Sequence, residues 1–250
     1  MLGFNGGLIG VNRNTSLTSA TGIWTLPEQI KAYRSELWPG SSATVLTGLI
    51  QYLDAGKSNS YSGTGSAWTD ISPSGGYNVT LVGNPAWTNT NGGRFDFNNN
   101  PYGTFSAPSL TSFSVSFWVN FQVASGEQRL CTFNPGASER GMAYDGTKVF
   151  FWNGVSGSPN YAATTQPINN WFNICYTSTS GAGRMYINGS LNASFADHNN
   201  IAASTSYIGS FDTAGRKLRG FLSVVMLYNK VLTAAEVLTN FNADKVRFGL

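Results

Sequence analysis

Residues 221 to 250 read FLSVVMLYNKVLTAAEVLTNFNADKVRFGL and hold the most informative pattern in the chain. The uninterrupted apolar run from Phe221 to Tyr228 predicts a buried strand, which ends at the polar pair Asn229-Lys230. Thr233 and Glu236 have the Ser/Thr-x-x-Glu spacing of a capping box, in which each residue satisfies a free backbone N–H at the start of a helix. The pattern therefore predicts a strand followed by a short helix that opens at Thr233.

Alternating segments earlier in the chain predict further strands. Residues 113 to 121 place Phe or Val at every second position, which predicts a half-buried antiparallel strand whose apolar face lines the core. Asp145-Gly146 and Asn188-Gly189 each separate two strand-like runs and predict hairpins with primed turns. Strands separated by Gly, Asn and Ser turns favour an all-β sandwich or jelly roll.

The composition is that of a β protein with a weakly charged surface. Charged residues make up only 11% of the 250-residue chain, against about 25% in a typical soluble domain. The surface must then consist largely of Ser, Thr, Asn and Gly, which fits extracellular or virion surfaces better than a cytosolic enzyme. The net charge of +3 is too small and too dispersed for a nucleic-acid partner. The basic stretch 216–219 is interpreted as a strand end or turn.

Residues 1 to 44 differ from the rest and predict an attachment segment, with a β-sandwich domain over residues 45 to 250. Thr25 and Glu28 form a second capping-box pattern, and the predicted helix ends near Trp38. One short helix cannot fold alone, so it must pack on the β domain or on a partner chain. The assembly residues predicted in this segment are Leu2, Phe4, Leu8, Ile9, Trp24, Tyr33 and Trp38.

The start of the chain and its two cysteines bear on where the protein works. The opening MLGFNGGLIG lacks the basic region of a secretory signal and is too short to span a membrane. We therefore expect no membrane insertion and a protein that is made in a host cytoplasm and acts on the virion surface. Cys131 and Cys175 lie in apolar, strand-like surroundings; buried free thiols are the favoured interpretation, and a disulfide is the alternative.

Six sequence motifs, in order along the chain, resemble those of the LamG-like domains of the concanavalin A-like lectin/glucanase superfamily. The resemblance implies a two-sheet antiparallel jelly-roll sandwich with a short helical N-terminal segment and a short C-terminal helix. Besides the stretch from 221, the matching motifs are GLIQYLDAGKSNSY (48–61) with WTDIS (68–72), GGRFDFNNNPYGTF (92–105), SFSVSFWVNF (112–121), NNWFNICYTSTSGAGRMYINGS (169–190) and SYIGSF (206–211).

The stretch ATGIWTLPEQIKAYRSELWP (20–39) is similar in overall character, though not in a defined motif, to segments that precede such domains in virion proteins of phages, notably marine ones. This resemblance implies a non-enzymatic virion structural protein, as a tail-fibre, baseplate or capsid-decoration component. Its partners would be other virion proteins and further copies of itself, with a trimer favoured. A carbohydrate-binding module that recognises host surface glycans is the alternative function.

A glycan hydrolase is disfavoured by the arrangement of the glutamates. Glycoside hydrolysis needs two carboxylates across the sugar bond, and no glutamate here has an acidic neighbour at i+2 or i+4. No Ser/His/Asp or Cys/His set appears at usable spacing either, so we expect no catalytic residues. The glutamates are Glu28, Glu36, Glu127, Glu139 and Glu236.

Candidate binding residues follow from aromatic and amide side chains at loops and strand ends. The carbohydrate-binding candidates are Trp152, Asn153, Tyr161, His198, Asn199 and Asp212, with core packing or ordinary loop chemistry as the alternative for each. Asp96 and Asn98 correspond to a region where some LamG-like domains bind Ca²⁺, although Asn replaces an expected Asp. We expect no other cofactor. Core or docking roles are predicted for Trp24, Trp38, Trp68, Trp118 and Trp171.

Overall fold

The computed structural model describes Thr25, Pro27, Glu28 and residues 44–250 except 137–138, 155–158 and 197–199. A helix, α1 (Ala234–Asp244), follows the last strand and continues into a 3-10 helix, Lys245–Phe248. The strands are β1 (Leu49–Asp54), β2 (Ala67–Trp68), β3 (Val79–Val82), β4 (Ala86–Thr88), β5 (Arg94–Asp96), β6 (Tyr102–Ala107), β7 (Phe113–Phe121), β8 (Gln128–Arg129), β9 (Cys131–Thr132), β10 (Gly141–Tyr144), β11 (Val149–Trp152), β12 (Asn160–Tyr161), β13 (Trp171–Thr179), β14 (Ala182–Ile187), β15 (Ser190–Phe195), β16 (Ser204–Ile208) and β17 (Gly220–Tyr228).

The strands form a sandwich of antiparallel sheets. One layer is an eight-stranded sheet in the order β15-β14-β13-β7-β17-β5-β4, with β1 also paired to β17. The other layer consists of a four-stranded sheet, β12-β11-β10-β8, and a five-stranded sheet, β2-β3-β6-β16-β9. Only Leu130 separates β8 from β9, so this stretch of chain joins the two smaller sheets. Apolar side chains from all three sheets share one core, as the predicted jelly-roll sandwich requires.

Strand β7 is buried on both faces, so the prediction of a half-buried strand is wrong. Its Phe and Val positions line the core as predicted, but its polar positions are buried as well. The reason is that the chain after β17 folds back over this face. Trp118 stacks on Phe248 with ring centroids 4.2 Å apart, and Ser114 Oγ accepts a hydrogen bond from Leu232 N.

The predicted turns and helix start are present. Thr233 and Glu236 form a complete capping box at α1. Asn188 and Gly189 have φ of 50° and 77° between β14 and β15, as a primed two-residue turn needs. The β10–β11 hairpin is also present, but Asp145 N donates to Lys148 O, so the turn is centred one residue later than Asp145-Gly146.

The remaining predictions about the fold have different outcomes. Thr25 N donates to Glu28 Oε2 at 2.9 Å, which is one half of the second capping box. Both Cys131 and Cys175 are buried free thiols, as favoured. No helix among the described residues is long and apolar enough to span a membrane. The division at residue 44 stays a prediction, because the seven assembly residues, from Leu2 to Trp38, lie outside the described ranges.

Candidate functional site

The outer face of the four-stranded sheet brings together two of the predicted carbohydrate-binding residues. Strand pairing places Tyr161, Phe150, Ala143 and Arg129 in one row across the sheet. Trp152 shares the face of Phe150, because residues two apart in a strand point the same way. The alternate residues of β10 and β11 pack in the core. Trp152 and Tyr161 are therefore diagonal neighbours on the face that points away from the core.

A cavity of about 330 Å³ lies at the Trp152 end of this face. Its volume is at the lower end of the range for small-molecule sites, which are usually apolar pockets with a few polar groups. Two aromatic and three charged side chains line it. The lining residues are Trp152, Phe211, Glu127, Glu139 and Arg216, with Gly136 and Gly154.

Arg129 lies fully buried beside this cavity and organises its charged residues. Its Nη2 donates to Glu139 Oε1 at 2.7 Å, and its Nε lies 2.6 Å from Glu127 Oε1. The guanidinium is 5.9 Å from the ring centroid of Trp152 and 5.4 Å from that of Phe211. The Nε contact is an ion pair without hydrogen-bond geometry, and neither Nε nor Nη1 makes a hydrogen bond to a described residue. A buried N–H without an acceptor costs about 1–3 kcal/mol, so Nη1 is an unsatisfied donor behind the residues that line the cavity.

Arg216 is the accessible cation of the cavity. Its side chain is 46% exposed, and its Nη1 lies 3.6 Å from Glu127 Oε1 and 3.9 Å from Glu139 Oε1, beyond hydrogen-bond distance. The guanidinium stands 4.8 Å from the ring centroid of Phe211. The backbone carbonyl of Arg216 accepts from Arg129 N at 2.9 Å, which fixes the residue while its side-chain donors face the cavity.

Asp212 shapes the loop that carries Phe211 and Arg216. Its Oδ1 accepts hydrogen bonds from Ala214 N at 2.7 Å and from Gly215 N at 2.8 Å. These two backbone donors hold the pKa of the Asp212 carboxyl below its usual value. One carboxylate oxygen is thus occupied by the loop itself, and the contribution of Asp212 to the site is to position its neighbours.

The remaining predicted residues are scattered. Asn153 follows Trp152 at the end of β11 and is half-buried, whereas His198 and Asn199 lie outside the described residues. Trp68, Trp118 and Trp171 are buried as predicted. Five residues in or beside the cavity were not predicted from the sequence. They are Glu127, Arg129, Glu139, Phe211 and Arg216.

The structure brings Glu127 and Glu139 together, although they lie on separate segments and their spacing gave no sign of a pair. Both carboxylates contact Arg129. In glycoside hydrolysis the two carboxyl groups act on opposite sides of the scissile bond, and one must deliver a proton. Here both Oε1 atoms approach the same guanidinium groups. This geometry suits the fixing of hydrogen-bonding groups better than proton transfer to a sugar.

The predicted calcium ligands are engaged with each other. Asp96 Oδ1 accepts from Asn98 N and from Asn98 Nδ2, each at 2.8 Å. The amide nitrogen of Asn98, rather than its oxygen, therefore faces Asp96. Within the described ranges no group of three or more His, Cys, Asp or Glu side chains is placed to hold a metal ion. Calcium binding stays a prediction.

A second cavity, of about 500 Å³, lies between the end of β1, residues 89–92 and the end of α1. Arg247 fills its wall with a bidentate contact to Asp54, at 2.8 and 2.9 Å. Its guanidinium also donates to the carbonyls of Asn91 and Gly93 and to Ser223 Oγ. Arg247 therefore acts as a structural clamp: its bonds connect the 3-10 helix to β1, to residues 91–93 and to β17.

Solved structures share this fold. Trypanosoma rangeli sialidase in complex with the inhibitor DANA matches with a TM-score of 0.63 and 16% identity, over 88% of this chain and 38% of that one. The binding domain of botulinum neurotoxin DC in complex with SialylT matches with a TM-score of 0.60 and 18% identity, over 80% of this chain and 52% of that one. The chain thus spans about half, or less, of the length of these structures, and the likeness is one of fold.

Sequence comparison gives the family. No curated protein sequence matches the chain. Residues 89–238, more than half of the chain, match the family model described as the concanavalin A-like lectin/glucanases superfamily. Together with the sandwich described above, this match shows that the chain belongs to the concanavalin A-like lectin/glucanases superfamily.

Proposed function

We propose that the protein is a non-enzymatic glycan-binding module that holds a saccharide in the cavity beside Trp152. The observation that carries the proposal is the combination of groups in that cavity. Aromatic rings offer stacking surfaces, Arg216 offers exposed N–H donors, and Glu127 offers a partly exposed carboxylate acceptor. Sugars present an apolar ring face and hydroxyl groups that both donate and accept, so each part of the ligand has a counterpart.

The ion cluster supports binding rather than catalysis. Buried Arg129 holds Glu127 and Glu139 in fixed positions before any ligand arrives. Binding then needs little ordering of side chains, which is a main cost of association. A fixed pair of acceptors next to donors discriminates between sugars by the positions of their hydroxyl groups. The fold of the family also hosts binding modules in which no bond is broken, which is an argument by analogy.

A glycan array tests this proposal directly. Wild-type protein should bind a subset of saccharides, and Trp152→Ala should lose that binding because the stacking surface is removed. Tyr207→Ala is the matched control, since Tyr207 is a half-buried ring in the same layer but on the five-stranded sheet. Binding by the wild type that survives Trp152→Ala would contradict the assignment of this cavity.

For the biological setting we propose display on a phage particle, with residues 1 to 44 as the attachment segment. The support is the weakly charged composition and the sequence pattern around Trp24. A protein lacking residues 1 to 44 should fold but no longer join its assembly. Normal incorporation of this truncated protein into particles would contradict the attachment role.

A further inference from the structure

Tyr161 forms an exposed aromatic surface next to the cavity. It is 40% exposed, and it is the one aromatic residue among the exposed large hydrophobic residues of the described ranges. Its ring centroid lies 5.0 Å from that of Phe150, which is only 3% exposed. The buried Phe150 therefore supports the Tyr161 ring against the sheet and limits its movement.

The geometry of the sheet places Tyr161 one step from Trp152. Tyr161 pairs directly with Phe150, and Trp152 is two residues beyond Phe150 on the same strand face. Such diagonal neighbours are separated by about 7–8 Å in antiparallel sheets. The two rings are therefore close enough for one short saccharide chain to contact both of them.

The size of the cavity also favours contact between Tyr161 and a second sugar unit. A volume of about 330 Å³ accommodates one sugar unit with its hydration. A further unit that extends over the sheet face meets Tyr161, which stands on that face. Burial, with the negative charges of Asp145 and Glu127, raises the pKa of Tyr161. Its hydroxyl group thus remains protonated at neutral pH and can donate to a sugar oxygen.

We propose that the ligand is an oligosaccharide of at least two units, with one unit in the cavity beside Trp152 and the next stacked on Tyr161. This inference rests on the proposed function and adds to it the length and direction of the ligand. It assigns Tyr161 as a length-determining residue rather than a general binding residue.

The test is calorimetric titration with four sugar ladders, each of one to six units: gluco-oligosaccharides, galacto-oligosaccharides, N-acetylglucosamine oligomers and oligogalacturonides. For the bound ladder, wild-type affinity should rise by about three- to tenfold from one unit to two, as one aromatic contact provides. Tyr161→Ala should abolish this rise and leave the affinity for the single unit unchanged. Tyr207→Ala should behave as the wild type.

Different results overturn different parts of the account. Binding that needs Trp152 but does not change with ligand length, or a full rise in Tyr161→Ala, overturns this inference and leaves the proposed function standing. If the wild type binds no saccharide at all, neither in the four ladders nor on the array, both the inference and the proposed function are overturned. Equal loss at every ligand length in Tyr161→Ala also overturns the inference, since it would place Tyr161 at the first unit.

Discussion

At the scale of single residues, Arg129 connects the stability of the protein to its site. It is a buried cation held by two carboxylates, Glu127 and Glu139, and it lies within 6 Å of two aromatic ring centroids. Removing one partner of a buried ionic group leaves the others uncompensated in a medium of low dielectric. Arg129 therefore fixes the two carboxylates of the cavity, and it does so without contacting a ligand.

Replacing Arg129 should be costly. Arg129→Met leaves both carboxylates without their main partner and should lower the free energy of unfolding by about 3–5 kcal/mol. Arg216→Met is the matched control; its partly exposed side chain makes only long ion pairs, which predicts a loss of under about 1 kcal/mol. Urea unfolding measures both, and equal losses in the two variants would contradict the account of the cluster.

The buried cysteines predict a pH dependence of stability. Burial raises the pKa of Cys131 and of Cys175 from 9.0 to about 12. Between these values the unfolded chain loses thiol protons that the folded chain keeps, so folding stability falls as pH rises. The fall is at most about 1.4 kcal/mol per pH unit for each cysteine. Denaturant unfolding from pH 9 to 10.5 should show a shallower fall in Cys175→Ala, and an unchanged slope would show that this thiol is accessible.

At the scale of elements, strand β7 shows how a sequence pattern can be correct in one respect and incomplete in another. Its alternation correctly predicted which side faces the core. The burial of its polar side depends on the capped helix and the 3-10 helix, which lie far along the chain. Buried serines are tolerated there because they find partners, such as Lys230 O for Ser114 and Asn173 Nδ2 for Ser116.

Phe117 gives a test of the core at the centre of β7. Its side chain is fully buried in the core, and its strand pairs with β13 on one side and with β17 on the other. Phe117→Ala should lower the free energy of unfolding by about 3–5 kcal/mol, from lost burial and the cavity that remains. A loss well under 1 kcal/mol in chemical denaturation would show that this face does not pack as described.

The capping box at α1 gives a smaller and local effect. Thr233 Oγ1 accepts from Glu236 N at 3.2 Å, while Glu236 Oε2 accepts from Thr233 N at 2.9 Å. Thr233→Ala should cost about 1 kcal/mol. Thr239→Ala, at a half-buried position inside the same helix, should leave stability nearly unchanged. Comparable losses in both variants would mean that the loss of a threonine side chain in general, and not the cap, sets the effect.

The site was only partly predictable from the sequence, for a physical reason. Trp152 and Tyr161 stood out because large aromatic residues occur at the ends of short strands. Glu127, Arg129 and Glu139 come together through the pairing of β8 with β10 and the loop before β10. Such register between strands is set by packing across the whole sandwich. It leaves no fixed spacing in the sequence, unlike the capping box or the Asn-Gly turn.

At the scale of the whole molecule, the sandwich presents its candidate site on one layer and its helical cap on the other. A single shallow glycan site is usually weak, and several copies on one particle raise the effective concentration of sites. We therefore propose a homo-oligomer in the native assembly, with a trimer as the expectation from the sequence resemblance. Light scattering of the native protein that shows only an isolated monomer would contradict this proposal.

The decisive experiment for the assignment of the cavity beside Trp152 is to locate a bound saccharide on the protein. Nuclear magnetic resonance titration can follow the side-chain N–H signals of Trp152, Arg216 and Arg129 as the array-selected saccharide is added. A saccharide in this cavity should shift these signals together until saturation, while the signal of Trp87 on the eight-stranded sheet stays in place. Shifts confined to the opposite layer, or to the clamp around Arg247, would contradict it.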